Sequence, residues 1–419
     1  MYSQIKRHPV VSAIMVIVII LNSSYAYNTV DDTIAVLFLG IASLIMFFWG
    51  IGKWKSVDLW QFFAMILIFG LVISMLVNGE ILQLYSYGRQ ICVTLFAMVF
   101  VNKIRFDGFR RCYLRVLDLL CAISLIYLLI YNTLGKVSIF SYANPNYVIF
   151  DSIGLVVIQR QNPLRVCGPF WESGIFASFI VIGMIYEIYS TNSTTKLSRM
   201  LLYIFSIIMT QSTAGYFLGI LALLLWYISK SSGRISLMRK FLVYAGVVLC
   251  FVFSTSLIDI AANALPDIFG KMTFESISMS TRISNPIIDL SLWMSSPIFG
   301  LGIRRYNQLW DGVAVNFIVG SRTSTATYFP AIIGVFGFTY IALILRGGIF
   351  QKKISVTERF ILIAIVFAII TKEPHNLNLL MFIIIFYLNN SRLSKNEIEP
   401  NSDFNRCGVV AEGVVNEQK

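Results

Sequence analysis

The sequence predicts an all-α, polytopic membrane protein. Its mean hydropathy is +0.76, 57% of its 419 residues are apolar, and only 13% are charged. Soluble domains carry about twice that share of charged residues. Apolar stretches long enough to cross a hydrocarbon layer of about 30 Å recur along the chain. Together these observations exclude an ordinary soluble domain.

About twelve transmembrane helices are expected within residues 1–389. Two of the apolar windows, 199–211 and 377–389, are shorter than a full span, so they require polar extensions or a break. The windows lie at residues 9–27, 33–52, 58–77, 84–101, 114–134, 173–190, 199–211, 214–229, 241–258, 328–346, 357–371 and 377–389. The polar segment 390–419 is expected to form a flexible cytoplasmic tail.

The distribution of positive charge predicts the orientation. With the N-terminus inside and the windows alternating, 23 of the 33 basic residues fall on the cytoplasmic side. The inverted orientation would place the five basic residues of segment 103–115 outside, against the bias of translocation. Both termini are therefore expected to be cytoplasmic. The same bias accounts for the net charge of +12 without a nucleic-acid partner.

Two external loops are much longer than the other connections: residues 135–172 and 259–327. Loops of this length in a compact protein are usually functional or disordered. The second contains tryptophans, a tyrosine and apolar patches, which favours an ordered, functional segment. With two histidines and no Cys-x-x-Cys spacing, the chain offers no metal site of the usual kinds, and no cofactor is expected.

The first loop ends in the pattern Arg-x-x-Gly-x-Phe-x-Glu, from Arg165 to Glu172. The planar guanidinium of Arg165 suits phosphate oxygens, although an interfacial anchor or an ion pair with Glu172 is the simpler alternative. Glu172 stands where a helix begins, so it is a candidate acid–base group or merely a favourable charge at the helix start.

The second loop carries four candidate anion ligands, and its acidic residues equal its basic ones in number, so an anion site there depends on local placement. From Ser291 the sequence predicts an amphipathic helix that stops at Pro297, followed by a glycine turn that presents the next basic residues. The candidates are Arg282, Arg304, Arg305 and Arg322, with Tyr306 beside them. A solvated surface role is the alternative for each arginine.

Two further features lie near the ends of spans. Arg89 stands near the external end of the fourth window, where it either binds an anionic ligand or extends outward into the interface. The polar turn 210–215 separates two short helices. It either lines a cavity or satisfies backbone groups.

These motifs, in this order, resemble the O-antigen polymerase and O-antigen ligase group of bacterial membrane glycosyltransferases. The resemblance covers most of residues 80–390. It rests on the 165–172 motif, the 210–215 turn, Trp293 to Tyr306 with its Pro and Gly-x-Gly, and the Tyr-Phe-Pro start of the next helix at Tyr328.

The resemblance implies a GT-C-like helical bundle in the bacterial inner membrane, with its site on the periplasmic face. Such enzymes polymerise oligosaccharide repeat units linked to undecaprenyl pyrophosphate, without a metal. By analogy Arg165, together with Arg282 or with Arg304 and Arg305, would stabilise the pyrophosphate, and Glu172 would orient or deprotonate the acceptor hydroxyl. The residues expected to bind substrate are Arg89, Arg304, Arg305, Tyr306 and Arg322. Besides the lipid-linked glycan and the bilayer, a chain-length regulator is a candidate partner.

The chain departs from the group in two respects. Ligases of the group carry a histidine late in the second loop, where this chain has Arg322 and a Thr/Ser run, so polymerase is favoured over ligase. The arginine-x10-glycine spacing of some polymerases is also absent after the loop arginines. A polysaccharide transporter or flippase is a further alternative, although such proteins place binding charges near the bilayer midplane.

Overall fold

The computed structural model describes residues 19–20, 22–23, 25–29, 33, 36–37, 39–41, 44, 57–135, 137–144, 147–190, 196–230, 277–314, 324–352, 354–372 and 375–390. The side chains of residues 277–283 and 314 lie outside this description. Predicted windows 9–27 and 33–52 are therefore covered only in part, and window 241–258, Arg322 and the tail beyond Asn390 are not covered.

Helices dominate the described part of the chain. They are α1 (Leu59–Val77), α2 (Leu84–Lys103), α3 (Phe106–Thr133), α4 (Ser173–Ile188), α5 (Lys196–Met209), α6 (Thr213–Lys230), α7 (Ile277–Ser295), α8 (Ile303–Ala314), α9 (Thr325–Ile333), α10 (Phe338–Phe350), α11 (Val356–Lys372) and α12 (Leu379–Asn390). Short 3-10 turns occur at Ala26–Thr29, Ile81–Gln83 and Gly334–Gly337.

Two short helices form the centre of the bundle. Every residue of α4 is buried, and so is every residue of α12 except the last. Both are apolar all round, as expected of helices enclosed by protein. The predicted short window 377–389 therefore corresponds to a central helix.

The surrounding helices expose apolar side chains. On α1, for example, Phe62, Phe69 and Leu76 are each more than half exposed. Within the described residues, five helical segments are long and apolar enough to cross a membrane: Leu59–Val77, Ile81–Lys103, Phe106–Thr133, Thr213–Lys230 and Thr325–Phe350. These segments agree with a polytopic, largely helical membrane protein. The number of twelve spans stays a prediction.

The predicted window 328–346 is a broken helix. α9 ends at Gly334, whose φ of +67° is strained for any other residue, and a 3-10 turn leads into α10. Residues 296–302 pack against the break through main-chain hydrogen bonds: the amide nitrogens of Leu301 and Gly302 donate to the carbonyls of Ala331 and Ile332, both at 3.0 Å. Carbonyls freed by the break therefore have partners, as burial requires.

The first predicted loop contains a sheet, which the all-α prediction omitted. β1 (Phe140–Ala143), β2 (Ile149–Ser152) and β3 (Val157–Gln159) are antiparallel in the order β1-β2-β3. The buried carboxylate of Asp151 ties the sheet to α3, because it accepts from Tyr131 Oη at 2.5 Å and from Arg160 Nη2 at 2.6 Å. Ser141 Oγ also donates to it.

One end of the bundle, here called the sheet end, holds this sheet, the turn between α1 and α2, the turn between α5 and α6, and segment 375–378. The opposite end holds most of the described basic residues. The predicted five-charge loop 103–115 is mostly helical: α2 ends at Lys103 and α3 begins at Phe106, so three of the charges lie on the first turns of α3. The orientation itself stays a prediction.

Candidate functional site

The Arg165 segment is bound to the polar turn between α5 and α6. Arg165 Nη2 donates to the carbonyl of Gln211 at 2.9 Å, and the amide of Val166 donates to that of Met209 at 3.0 Å. Gln211 has a φ of +46°, which is uncommon for a residue other than glycine. The two polar motifs that the sequence singles out therefore form one structural unit.

Glu172 stands at the N-cap position of α4, but its side chain makes no capping hydrogen bond. Among the described ion pairs there is none between Arg165 and Glu172. Both nevertheless act electrostatically on Cys167. Burial raises the pKa of this thiol to about 12, Arg165 opposes the rise, and Glu172 adds to it. The thiol is accordingly protonated and inert at neutral pH.

The end of α11 connects this unit with the rest of the sheet end. Lys372 is buried, and its Nζ donates to Ser212 Oγ at 3.2 Å. His375 follows in the segment before α12, and its amide donates to Thr325 Oγ1 at 2.6 Å. Both ring nitrogens of His375 are buried without a hydrogen bond. Burial, assisted by Lys372, lowers the pKa of His375 to about 3, so the ring is neutral.

A cavity of about 260 Å³ opens beside this segment. It is bounded by the first turns of α2 and α8, the start of α9 and the segment before α12. The lining residues are Tyr85, Ser86, Arg89, Gln90, Ile303, Asn307, Ser324, Tyr328, Asn376 and Leu377. Among these side chains Arg89 contributes a positive charge, and the remainder contribute amides, hydroxyls, two phenol rings and two aliphatic groups.

A buried carboxylate bonds to a residue that packs against the wall of the cavity. Asp289 accepts from Tyr306 Oη at 2.7 Å and from Thr327 Oγ1 at 2.6 Å. The ring of Tyr306 meets that of Tyr328 edge-on, with centroids 5.3 Å apart. Tyr306 therefore positions the lining residue Tyr328 and does not line the cavity itself.

The helix that carries Arg304 and Arg305 begins on another buried carboxylate. Glu80 accepts from the amide of Arg304 at 3.0 and 3.1 Å and from that of Arg305 at 3.1 Å. Tyr87 Oη donates to the same carboxylate at 2.9 Å. The free amides at the start of this helix, which could otherwise bind an anionic ligand, are thus bonded to a carboxylate of the protein itself. The side chains of Arg304 and Arg305 are exposed, and the two residues directly follow Ile303, which lines the cavity.

The predicted site residues fall into two neighbouring groups. Arg89 lines the cavity, and Arg304 and Arg305 directly follow its lining residue Ile303 in the chain. Arg165 and Glu172 belong to the unit at the turn between α5 and α6. The end of α11 and segment 375–378 lie between the groups. Arg282 lies on α7 with its side chain outside the described part, and Arg322 lies outside it entirely.

Sequence reasoning missed four polar residues of the sheet end: Glu80, Gln90, Asp289 and His375. A glutamine inside the apolar run of α2 is a signal that could have drawn attention to Gln90, since polar groups in such runs need partners or functions. No signal marks Glu80, whose two helix-amide partners, Arg304 and Arg305, lie more than 200 residues later. In the described ranges no group of three His, Cys, Asp or Glu residues could hold a metal ion.

No protein-family model matches the chain, and no curated protein or solved structure is significantly similar to it.

Proposed function

We propose that the protein polymerises oligosaccharide repeat units linked to undecaprenyl pyrophosphate, on the periplasmic face of a bacterial inner membrane. The observation that carries this proposal is the cavity at the sheet end, because Arg89 lines it and the exposed Arg304 and Arg305 directly follow its lining residue Ile303 in the chain. A mixed lining of amides, hydroxyls and phenol rings beside arginines suits a sugar joined to a phosphate. The exposed apolar helices suit a lipid carrier.

The reaction requires the protein mainly to hold the reactants in position and to provide positive charge near the leaving group. The acceptor hydroxyl oxygen forms a bond to the anomeric carbon of the donor, the bond from that carbon to the pyrophosphate oxygen breaks, and the lipid pyrophosphate leaves with the electron pair. Fixed arginines stabilise the charge that develops on the leaving group. The proton of the hydroxyl passes to a base, for which Glu172 is the proposed group because its carboxylate carries no capping hydrogen bond.

Deletion of the gene in its host, followed by gel analysis of the surface polysaccharide, tests the reaction class. If the protein is a polymerase, its loss is expected to leave lipid A-core capped with a single repeat unit. Polymer that accumulates on the lipid carrier would instead indicate a ligase. Single lipid-linked units retained inside the cell would indicate a flippase. An unchanged profile would remove all three functions.

Arginine variants test the site in the complemented deletion strain. Arg89→Ala, Arg165→Ala and Arg282→Ala are each expected to abolish polymer at normal protein level, since each removes a proposed pyrophosphate ligand. Arg111→Ala, an exposed arginine on α3 near the opposite end, is the matched control and is expected to retain polymer. Normal chain length in the Arg89 or Arg165 variant would refute the assignment of that residue.

A further inference from the structure

Gln90, at the wall of the cavity, has a buried polar atom without a hydrogen-bond partner. The residue is 3% exposed, its Nε2 donates to Tyr328 Oη at 3.0 Å, and its Oε1 has no hydrogen-bond partner. Leaving a buried amide oxygen unpaired costs about 1–3 kcal/mol. Gln90 is also one of the residues that line the cavity, so its side chain borders the space that a bound molecule would occupy.

The chemistry of Gln90 indicates a hydroxyl as its partner. The amide can be turned the other way, with Oε1 accepting from Tyr328 Oη, because the two ends of an amide are assigned from hydrogen bonds. In that case the nitrogen rather than the oxygen would be unpaired. A hydroxyl group can pair with the unpaired atom in either orientation of the amide, since it both donates and accepts. A ligand group that only donates or only accepts can pair in one orientation only.

The remaining lining residues suit a sugar ring with a negative charge. Tyr85 and Tyr328 offer phenol faces for the apolar C–H surface of a ring, and Asn307 and Asn376 offer amides for further hydroxyls. Among the lining residues that the structure describes, Arg89 is the one cation and none is a carboxylate. An anionic substituent on the ring would therefore meet a complementary charge.

The size of the cavity restricts the ligand to one ring. Its 260 Å³ lies just below the range of about 300–1,000 Å³ typical of pockets for drug-sized ligands. An oligosaccharide of several rings exceeds this space, so further rings must lie outside it.

We propose that this cavity is a subsite for a single sugar ring bearing one anionic group, in which Gln90 binds a ring hydroxyl and Arg89 binds the charge. The inference rests on the proposed function, since it names the part of a lipid-linked glycan that enters the protein. The charge can come from a phosphate on the anomeric carbon or from a carboxylate of a uronic acid.

Binding of small probes to the full chain in lipid nanodiscs tests the subsite, measured by saturation-transfer NMR with titration. The probes are glucose 1-phosphate, glucuronate, glucose and inorganic phosphate. At least one anionic sugar is expected to bind about tenfold more tightly than glucose and than phosphate. A preference for glucose 1-phosphate identifies the phosphate as the source of charge, and a preference for glucuronate identifies the carboxylate. Phosphate binding as tightly as both sugars would overturn the proposal.

Variants assign the binding to Gln90. Gln90→Leu is expected to weaken the preferred sugar about tenfold, because it leaves a ligand hydroxyl unpaired. The double variant Gln90→Leu with Tyr328→Phe removes both partners of the internal bond together, which is nearly neutral for stability, and must show the same loss. Gln308→Leu, the same change at an exposed glutamine of α8, is the control. Unchanged binding in the folded double variant would overturn the role of Gln90.

The two proposals fail in different measurements. If gene deletion abolishes polymer while the folded Gln90 variants bind and polymerise normally, the subsite is refuted and the polymerase stands. If deletion leaves the polysaccharide unchanged while sugar binding depends on Gln90, the polymerase is refuted and the sugar subsite stands.

Discussion

The carboxylate of Glu80 accepts hydrogen bonds from the backbone amide of Arg304, a residue 224 positions later in the chain. It thereby joins the turn between α1 and α2 to the first turn of α8. A negative charge at this position also favours the helix dipole. The direction in which Arg304 and Arg305 leave the helix consequently depends on a residue of another loop.

Glu80→Gln is expected to lower the free energy of unfolding by about 1–2 kcal/mol, because it removes a buried charge that serves two helix amides. Polymer formation is expected to fall as well, since the exposed arginines lose their fixed direction. Thermal unfolding in detergent and the polysaccharide gel measure the two effects. Asp107→Asn, an exposed acid near the opposite end that pairs with Arg110, is the control, with a change below about 1 kcal/mol. Equal stability of the two variants would contradict the capping role.

Gly300→Ala and Gly334→Ala are both expected to be strongly destabilising. A Cβ on Gly300 would lie 2.3 Å from the carbonyl carbon of Ile332, and one on Gly334 would lie 2.1 Å from the carbonyl oxygen of Ile298. Both residues also have positive φ, so an added side chain is strained whatever the space.

Gly312→Ala on α8 is the matched control for these two changes. Nothing lies within 4 Å of its Cβ position, and alanine is favoured over glycine in a helix by about 1 kcal/mol. Expression level and the midpoint of thermal unfolding distinguish the three variants. The explanation fails if Gly312→Ala loses as much stability as the other two.

Asp151→Asn is expected to loosen the sheet from α3 and to cost about 1–3 kcal/mol, because Arg160 and Tyr131 lose a charged acceptor. Burial alone would raise the pKa of Asp151, but its bonds from Arg160, Ser141 and Tyr131 outweigh it and hold the pKa at about 2. A pKa below the usual value of 3.8 means that this stabilisation is complete above about pH 4 and is lost as the pH falls to 2.

Limited proteolysis within residues 137–160, measured from pH 7 to pH 2, checks this prediction. The native chain should resist cleavage down to about pH 4, and Asp151→Asn should be cleaved at every pH. Asp311→Asn, an exposed acid on α8, is the control. Equal protection of this segment in Asp151→Asn and in the native chain would contradict the role of the carboxylate.

His375→Leu is expected to remove part of the acid sensitivity of the protein. The pKa of His375 in the folded chain is about 3, below its usual 6.5, so the unfolded chain takes up a proton first and stability falls as the pH drops from 6.5 towards 3. Leucine cannot take up that proton and leaves no buried nitrogen without a partner. Unfolding followed between pH 8 and pH 4 should show a shallower decline in the variant, and an identical decline would contradict the prediction.

Helix positions could be predicted closely from the sequence because each long apolar run marks a segment that must be removed from water as a helix. Window 58–77 corresponds to Leu59–Val77, and window 357–371 to Val356–Lys372. The helix predicted to stop at Pro297 ends at Ser295, and the glycine turn follows it with positive φ at Gly300 and Gly302. The sheet was missed because strands of three or four residues carry too little alternation to stand out from a loop.

The candidate site was predictable only in part. The arginines could be identified from the sequence as candidate anion ligands because they carry a positive charge. One of them, Arg89, does line a cavity. Gln90 and Glu80 matter through partners on α9 and α8, which only the folded chain brings near. Arg165 and Glu172 are seven positions apart in one loop, yet no ion pair joins them in the described structure, since the guanidinium bonds the carbonyl of Gln211 instead.

The contact between residues 296–302 and the broken helix is made of main-chain atoms, which has a consequence for how this protein can diverge. Side chains between Ser296 and Leu301 can change without removing those hydrogen bonds, whereas the glycines cannot be exchanged. Distant descendants are therefore expected to keep the intervals that separate Gly300, Gly302 and Gly334 while their loop arginines move to new positions. In such a lineage, the spacing of the glycines would identify relatives over longer evolutionary distances than the residues that bind the substrate.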